Sequence, residues 1–418
     1  MSIESFIAPK HNYPFLWFMD FAIESLMRVV HNITEVNISE EDKQMLKGFK
    51  DKRLIYISNH PSTKEPPVTY VVSKYTYSRF YYMASREVFD WGYGFVGNVI
   101  QAVGAYSIIA GTADRESLKM TRSILASPNG KLALFPEGEP TGAENDNLLP
   151  FQPGVTQLGF WGFEDALKQD PKAEIYILPA FIKYRVAEPL DEVQNEIDRS
   201  LEKLENHFKL SKKGKSIEER LLSIATSIVE ANERQFGISS DPSLDFDYRI
   251  GQLRHKILNH VADTVGLKKF NRDANAIEKL REILSTFELV QVGVPDPKGE
   301  LPKKELAQWG RKYCQKAYDL ISLKSTYILE LPSPERIYEW IYRLESEVFG
   351  SSSPRPHKAY VSFSEPILLS QYYTQYKTSK NKKEIVDGLT NTLREKIQEL
   401  LDKEKQKSYR LFSASYRF

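Results

Sequence analysis

The chain has 418 residues, 57 Lys+Arg against 56 Asp+Glu, a formal net charge of +1, 41% hydrophobic residues, 12% aromatic residues and one cysteine. Its apolar content excludes general disorder, and its charge balance argues against a chain that coats nucleic acid, whose phosphates demand a basic surplus. The lone Cys314 excludes a disulfide scaffold or a cysteine-rich zinc site and fits a reducing cytosol.

The first residues lack the basic stretch, apolar core and small-residue cleavage site of a signal peptide, so none is expected. The longest apolar stretch, Tyr13 to Ile33, is long enough to span a bilayer. Asp20, Glu24 and Arg28 interrupt it at helical spacing, and each charge at a bilayer centre costs roughly 2.5–3.5 kcal/mol on insertion scales. The stretch therefore predicts an amphipathic helix. Such a helix either lies in a membrane interface, with Trp17 and the phenylalanines immersed, or packs its apolar side on the rest of the protein.

Short β-rich runs follow at Leu54–Ser58, Phe80–Ala84, Ala105–Ile109, Lys131–Phe135 and Ile175–Tyr184, with helical or loop stretches such as Glu116–Ala126 between them. This alternation predicts an α/β layer architecture. From about Leu190 to Gly350 the pattern becomes long, charged and helical, as in Glu192–Phe208, Ile217–Phe236, Tyr248–Val265 and Asn275–Val290. A Ser/Pro-rich linker, Gly350 to Pro356, precedes a strand-like run at Ala359–Leu369 and a helix at Ile385–Leu401. A lone strand is not stable, so this one is expected to rejoin the N-terminal sheet. The expected organisation is an N-terminal amphipathic region (1–48), an α/β core (49–188), a helical insertion (189–355), a returning strand and helix (356–402), and a basic and aromatic tail (403–418). That tail, Lys403–Lys407 followed by Tyr409, Arg410, Phe412, Tyr416, Arg417 and Phe418, suits anionic lipid headgroups or a solvated, frayed end.

Three blocks bear on chemistry. Ser58-Asn59-His60-Pro61-Ser62-Thr63-Lys64-Glu65-Pro66 directly follows a strand. A histidine with a carboxylate five positions on can act as a general base, the carboxylate fixing its tautomer. His60 is the only one of seven histidines with this spacing, and chance alone supplies one such match. Glu65 otherwise reads as the end of a capping box from Ser62, although Pro66 disfavours that and suggests a helix starting at Pro66. The second block, Phe135-Pro136-Glu137-Gly138, sits at another strand end, and the third runs from Leu148 to Val155 as LLPFQPGV. A glycine turn after a buried strand presents backbone N–H groups and a carboxylate to a ligand, or simply turns the chain.

In this order the blocks resemble the glycerolipid acyltransferase family typified by PlsC. Ser85-Arg86-Glu87-Val88-Phe89 is similar to the family's basic-Glu-x-Phe segment, Gly104–Ile108 to its second motif, and Leu178-Pro179 to its fourth. The likeness covers about residues 50–185, with Ala359–Leu369 as the final strand. It implies a mixed sheet flanked by helices, here with a large all-helical insertion. It also implies transfer of an acyl group from acyl-CoA or acyl-carrier protein to a lipid hydroxyl, most simply on a lysophosphatidic acid-type glycerolipid. His60 would deprotonate that hydroxyl and Glu65 would orient His60. Phe135, Pro136, Glu137 and Gly138 would line the acceptor site.

Three positions depart from the family pattern. Glu65 stands where Asp is usual, Glu139-Pro140 where Thr-Arg is common, and Ile109-Ala110 where a basic residue often follows the second motif. A phosphate wants ionic or bidentate donors. Either Arg86 and Arg115 supply them, or the acceptor is not a simple phosphomonoester; glycerol-3-phosphate and other lipid or glycolipid acceptors are alternatives. A catalytically silent lipid-binding protein on the same fold is the reading from another class. No cofactor or metal is expected, and the location implied is cytoplasmic with peripheral attachment to a membrane.

The remaining candidates read as structural. His255 and His260 are five apart on a helix and point to different faces, His207 and His357 sit among charges, and Cys314 reads as packed. Lys209–Lys215 and Lys377–Lys383 are basic loops that are either solvated or lipid-facing.

Overall fold

The structure is a computed structural model that describes residues 6–109, 114–138, 145–321 and 323–411. Ala110, Glu139, Pro140 and the tail from Phe412 to Phe418 therefore lie outside the described residues. The chain forms two units that divide between Tyr184 and Arg185 and again between His357 and Lys358.

The first unit contains α1 (Tyr13–His31), β1 (Ile33–Ile38), α2 (Glu40–Lys47), β2 (Arg53–Ser58), α3 (Glu65–Tyr75), β3 (Tyr81–Ser85), a 3-10 turn (Arg86–Asp90), α4 (Phe95–Ala102), β4 (Ala105–Ile108), α5 (Arg115–Ala126), β5 (Lys131–Leu134), α6 (Gly154–Gln169) and β6 (Ile175–Val186). Then come α7 (Leu190–Phe208), α8 (Ile217–Gln235), α9 (Phe246–Val265), α10 (Ala276–Val292), α11 (Lys304–Ile321), α12 (Ser325–Glu330) and α13 (Pro334–Phe349), which make up the second unit. The chain returns to the first unit as β7 (His357–Phe363), β8 (Ile367–Leu368), α14 (Ser370–Thr378) and α15 (Lys382–Gln406).

The sheet is mixed and has eight strands, in the order β1-β7-β6-β2-β5-β3-β4 with β8 paired to β6. Strands β6, β2, β5, β3 and β4 run parallel, whereas β8 is antiparallel to β6. Buried on both faces, the central strands read as near-continuous apolar runs such as LIYI and ILPAFI. One face meets Leu16, Met19, Ile23 and Met27 of α1 with Val68, Val71 and Val72 of α3. The other meets Leu125 of α5, Phe160 and Phe163 of α6, and Leu389, Leu393, Ile397 and Leu401 of α15. The parallel strands therefore aim their C-terminal ends, the usual ligand-binding edge of such a sheet, at one rim.

Helix α1 resolves the two sequence readings in an unexpected way. Its buried stripe, Leu16, Met19, Ile23 and Met27, recurs at helical spacing and packs on the sheet unit, worth about 1.5–3 kcal/mol per side chain. A second apolar face points to solvent, with Trp17 67%, Phe18 59%, Phe21 90% and Val29 80% exposed. The interrupting charges are tied to the protein. Asp20 pairs with Arg79 and accepts from the Tyr70 hydroxyl at 2.9 Å, Glu24 lies 3.8 Å from Lys74, and Arg28 donates to the Thr34 carbonyl. No helix among the described residues is long and apolar enough to cross a membrane.

Three sequence boundaries shift. Ile33–Ile38 is a strand rather than the end of the helix, because it completes the sheet beside β7. Residues 403–406 belong to α15, with Glu404 buried, so the helix runs past the expected boundary at 402. The Ser/Pro-rich segment is anchored: Arg355 is buried, 3.2 Å from Glu345, and donates to Ser200.

The second unit is all-helical around one core that includes Ile197, Leu201, Ile224, Ile257, Ile283, Trp340 and the buried Cys314. Buried ion pairs join its helices, Arg220 to Glu205 and Arg249 to Glu233. His255 lies 3.0 Å from the Lys279 ammonium, whereas His260 packs on Phe236, Trp309 and Tyr313, so the two imidazoles do not converge. Among the described residues no group of three side chains is placed to hold a metal.

Candidate active site

The site is built where β2 stops. Ser58 is the last paired residue, opposite Ala180 of the longer β6. Asn59 then replaces the next rung with its side chain, donating to the Ile182 carbonyl at 3.0 Å and accepting from the Ile182 amide at 2.8 Å. The ladder is thus satisfied while the main chain turns out of the sheet at His60. Helix α3 starts at Glu65, one residue before the proline that sequence favoured as its start, and its first turn places a carboxylate at the positive end of the helix dipole.

Glu65 is completely buried and His60 is 12% exposed. The Glu65 Oε2 atom lies 3.0 Å from His60 Nδ1 and accepts from the Ser62 amide at 2.9 Å. Its Oε1 accepts from the Ser62 hydroxyl at 2.9 Å and from the Tyr184 hydroxyl at 2.7 Å. The Ser62 contact is half of the capping box weighed above, but Lys64 is the residue that precedes the helix, and the carboxylate serves His60 as well. With Glu65 as acceptor the hydrogen-bond network assigns the imidazole proton to Nδ1. Nε2 has no hydrogen-bond partner among the described residues. The ring stacks on Phe135, with centroids 4.3 Å apart and an interplanar angle of 23°.

Phe135 to Gly138 follow β5, the strand beside β2. Gly138 adopts φ +90° and donates to the Phe135 carbonyl, and the Gln152 amide donates to the Pro136 carbonyl at 2.7 Å. A Cβ on Gly138 would lie 2.0 Å from Gln152 Nε2, at the movable end of that side chain, so it is the backbone conformation that requires glycine. Glu137 does not stand open as an acceptor ligand. It is 2% exposed, and its two oxygens accept from the His60 amide at 2.7 Å and the Leu149 amide at 2.9 Å. Burial raises its carboxyl above the usual carboxylate range, and these two amides offset only part of that rise. It joins the His60 loop to the LLPF segment, whose Leu148 and Leu149 carbonyls also accept from Arg394 of α15.

Of the two arginines expected to bind phosphate, Arg86 is 5% exposed and paired with Asp90 at 2.9 Å. Its guanidinium is thus engaged within the fold. Arg115 opens α5 on the surface and has no partner among the described residues. His60, Phe135, Pro136, Glu137 and Glu65 thus come together at the ends of β2 and β5, while Arg86 and Arg115 follow β3 and β4 further along the rim.

Sequence reasoning passed over Asn59, Asn145, Tyr184 and Arg394. Asn145 donates to the Ile182 carbonyl and accepts from the Tyr184 amide, and the neighbouring Asp146 forms a buried ion pair with Lys183. The one available signal was the length of the β6 run, which continues past the end of β2 and so must carry groups into the space around His60.

No curated protein matches the chain. Residues 30–183 match the family model described as Acyltransferase. That stretch contains His60, Glu65 and the Phe135–Gly138 turn, and its match is to the acyltransferase domain of the PlsC-type family.

Proposed function

We propose that this acyltransferase domain transfers a fatty acyl group from a thioester, acyl-CoA or acyl-carrier protein, to a hydroxyl of a lysophosphatidic acid-type glycerolipid. The observation that carries the reading is the His60–Glu65 pair: an Nδ1-protonated imidazole backed by a buried carboxylate, its Nε2 without a hydrogen-bond partner among the described residues. In the proposed step Nε2 takes the proton of the acceptor hydroxyl as its oxygen attacks the thioester carbonyl. The C–S bond breaks, and the departing sulfur takes the proton back from the imidazolium, which Glu65 stabilises. The base supplies about 10²–10⁴ in rate. Glu137 holds the His60 backbone in place, and Arg115 is the candidate cation for an anionic acceptor.

The outward face of α1 supports a lipid interface as the place of reaction. The rings of Trp17, Phe18 and Phe21 alone leave roughly 320–540 Å² uncovered, taking 150–250 Å² per ring, which already equals the largest apolar patch of an ordinary monomer. Asp20 is drawn to Arg79 and Glu24 lies toward Lys74, so two of the three charges on this helix face cations of the protein.

Thiol release from acyl-CoA and acyl-carrier protein, measured over lysophosphatidic acid, glycerol-3-phosphate and glycolipid acceptors, tests the chemistry. Wild type is expected to release thiol with at least one acceptor and His60→Ala to lose the rate. Indistinguishable behaviour of the two proteins with every acceptor would leave the lipid-binding alternative standing. Co-sedimentation with anionic liposomes tests the interface: Trp17→Ser/Phe21→Ser is expected to stay in the supernatant, and undiminished binding would refute it.

A further inference from the structure

Tyr184 lies in none of the motifs and outside the matched segment, yet its hydroxyl reaches the carboxylate behind His60. We propose that Tyr184 is a positioning residue, tying Glu65 to the sheet and thereby setting the orientation and basicity of His60. The inference rests on the reading of His60 as the base.

Four hydrogen bonds hold Glu65, two to each oxygen. Three of them come from His60 and Ser62, which share one surface loop and move with it. Only Tyr184 reaches the carboxylate from a strand. That strand is rigid at this point: Asn59 and Asn145 clamp Ile182, Asn145 accepts from the Tyr184 amide, and Tyr184 itself is 7% exposed in the core beside Leu178, Ala180 and Ile182. A glutamate has one more torsion than an aspartate, so a fixed donor on its outer oxygen restricts what the extra torsion would free. Burial and the Glu65 charge raise the phenol well above its ordinary range, so it stays a donor. The other charged or titratable groups around this cluster are Lys64, whose ammonium sits 5.6 Å from the Tyr184 ring centre, Glu137 behind the His60 amide, His31 of α1, and Tyr56, whose phenol burial pushes up to about 12.

Removing the phenolic donor leaves Glu65 a stronger proton acceptor. The form of the site with neutral imidazole and ionised carboxylate then requires a higher pH, and the carboxylate gains freedom to rotate away. The test compares wild type, Tyr184→Phe, Glu65→Gln and the double variant as full-length chains, with circular dichroism as the check on folding. Ring-¹⁵N NMR of His60 is the readout that needs no turnover. Its titration midpoint is expected to move up in Tyr184→Phe and to be the same in Glu65→Gln with or without the second change. An unmoved midpoint in Tyr184→Phe, or an equal movement in the Glu65→Gln background, would overturn the proposal.

With an acceptor found, kcat should fall about tenfold in Tyr184→Phe, the scale of one hydrogen bond to a charged group, with KM unchanged and the acid limb of kcat/KM shifted upward. Should Tyr184→Phe fail to fold, Glu65→Asp serves instead. A side chain shorter by about 1.5 Å does not reach both His60 and Tyr184, so a loss of similar size is expected, and wild-type turnover would refute the coupling. If the wild type transfers no acyl group to any acceptor, the functional reading fails while the NMR comparison still decides on Tyr184.

Discussion

Replacing Glu137 by glutamine separates a positioning role from acceptor binding. The carboxylate offers one oxygen to the His60 amide and the other to the Leu149 amide, at 2.7 and 2.9 Å, in a place that is 2% exposed. Glutamine keeps one acceptor and turns an NH₂ group toward the second amide, so one buried N–H is orphaned. Such an orphan costs about 1–3 kcal/mol, which raises the open population of the affected loop roughly 5- to 150-fold. Because the chain has two compact units, amide exchange of the two segments locates the effect more sharply than a global unfolding energy. Mass-resolved exchange should show peptides containing His60 or Leu149 losing protection by that factor, with peptides from α9 to α11 unchanged. Catalytic efficiency should drop through kcat as the His60 loop loosens. Unaltered protection at both segments together with a raised KM would refute the reasoning and return Glu137 to the role of acceptor ligand.

Other outcomes follow from the same contacts. Leu16→Ala, at a fully buried position of α1, should lower stability by about 2–5 kcal/mol, whereas Phe21→Ala on the exposed face of that helix should stay within about 0.5 kcal/mol; paired thermal melts distinguish them. Gly138→Ala puts a Cβ against Gln152 at φ +90° and should cost at least about 1 kcal/mol in the same assay; an unchanged melt would show that the turn relaxes freely. Lys131, buried at the opposite end of β5 with its ammonium on the Lys50 and Lys52 carbonyls, is pushed down by burial to about 8. Between pH 8 and the ordinary lysine range the unfolded chain binds the extra proton, so stability should rise with pH there. The sign is checked by comparing denaturation midpoints with Lys131→Met, which should lack that rise.

How far the sequence reached differs from element to element. The α/β core was legible because its central strands are buried on both faces and read as apolar runs, and the helical unit because its apolar residues keep a helical period. Strand Ile33–Ile38 was not legible. Its buried residues are only Ile33 and Ile38, five apart, a spacing that matches neither one helix face nor one strand face, and its pairing with β7 joins segments from the two ends of the chain. Helix α1 illustrates the same limit: hydropathy established an amphipathic helix, but which of its two apolar faces is covered depended on where α3 and the sheet lie.

By itself the sequence picked out the candidate groups, since a histidine with a carboxylate five residues on, and a Phe-Pro-Glu-Gly turn after a strand, are local patterns. The tertiary structure alone decided what each group touches. Parallel pairing of β2 with β5 set the Glu137 carboxylate on the His60 amide. The overhang of β6 brought in Tyr184, 119 residues from Glu65. The physical reason is that a hydrogen bond depends on position in space and on exclusion of water, and sheet topology sets both for residues that sequence keeps far apart.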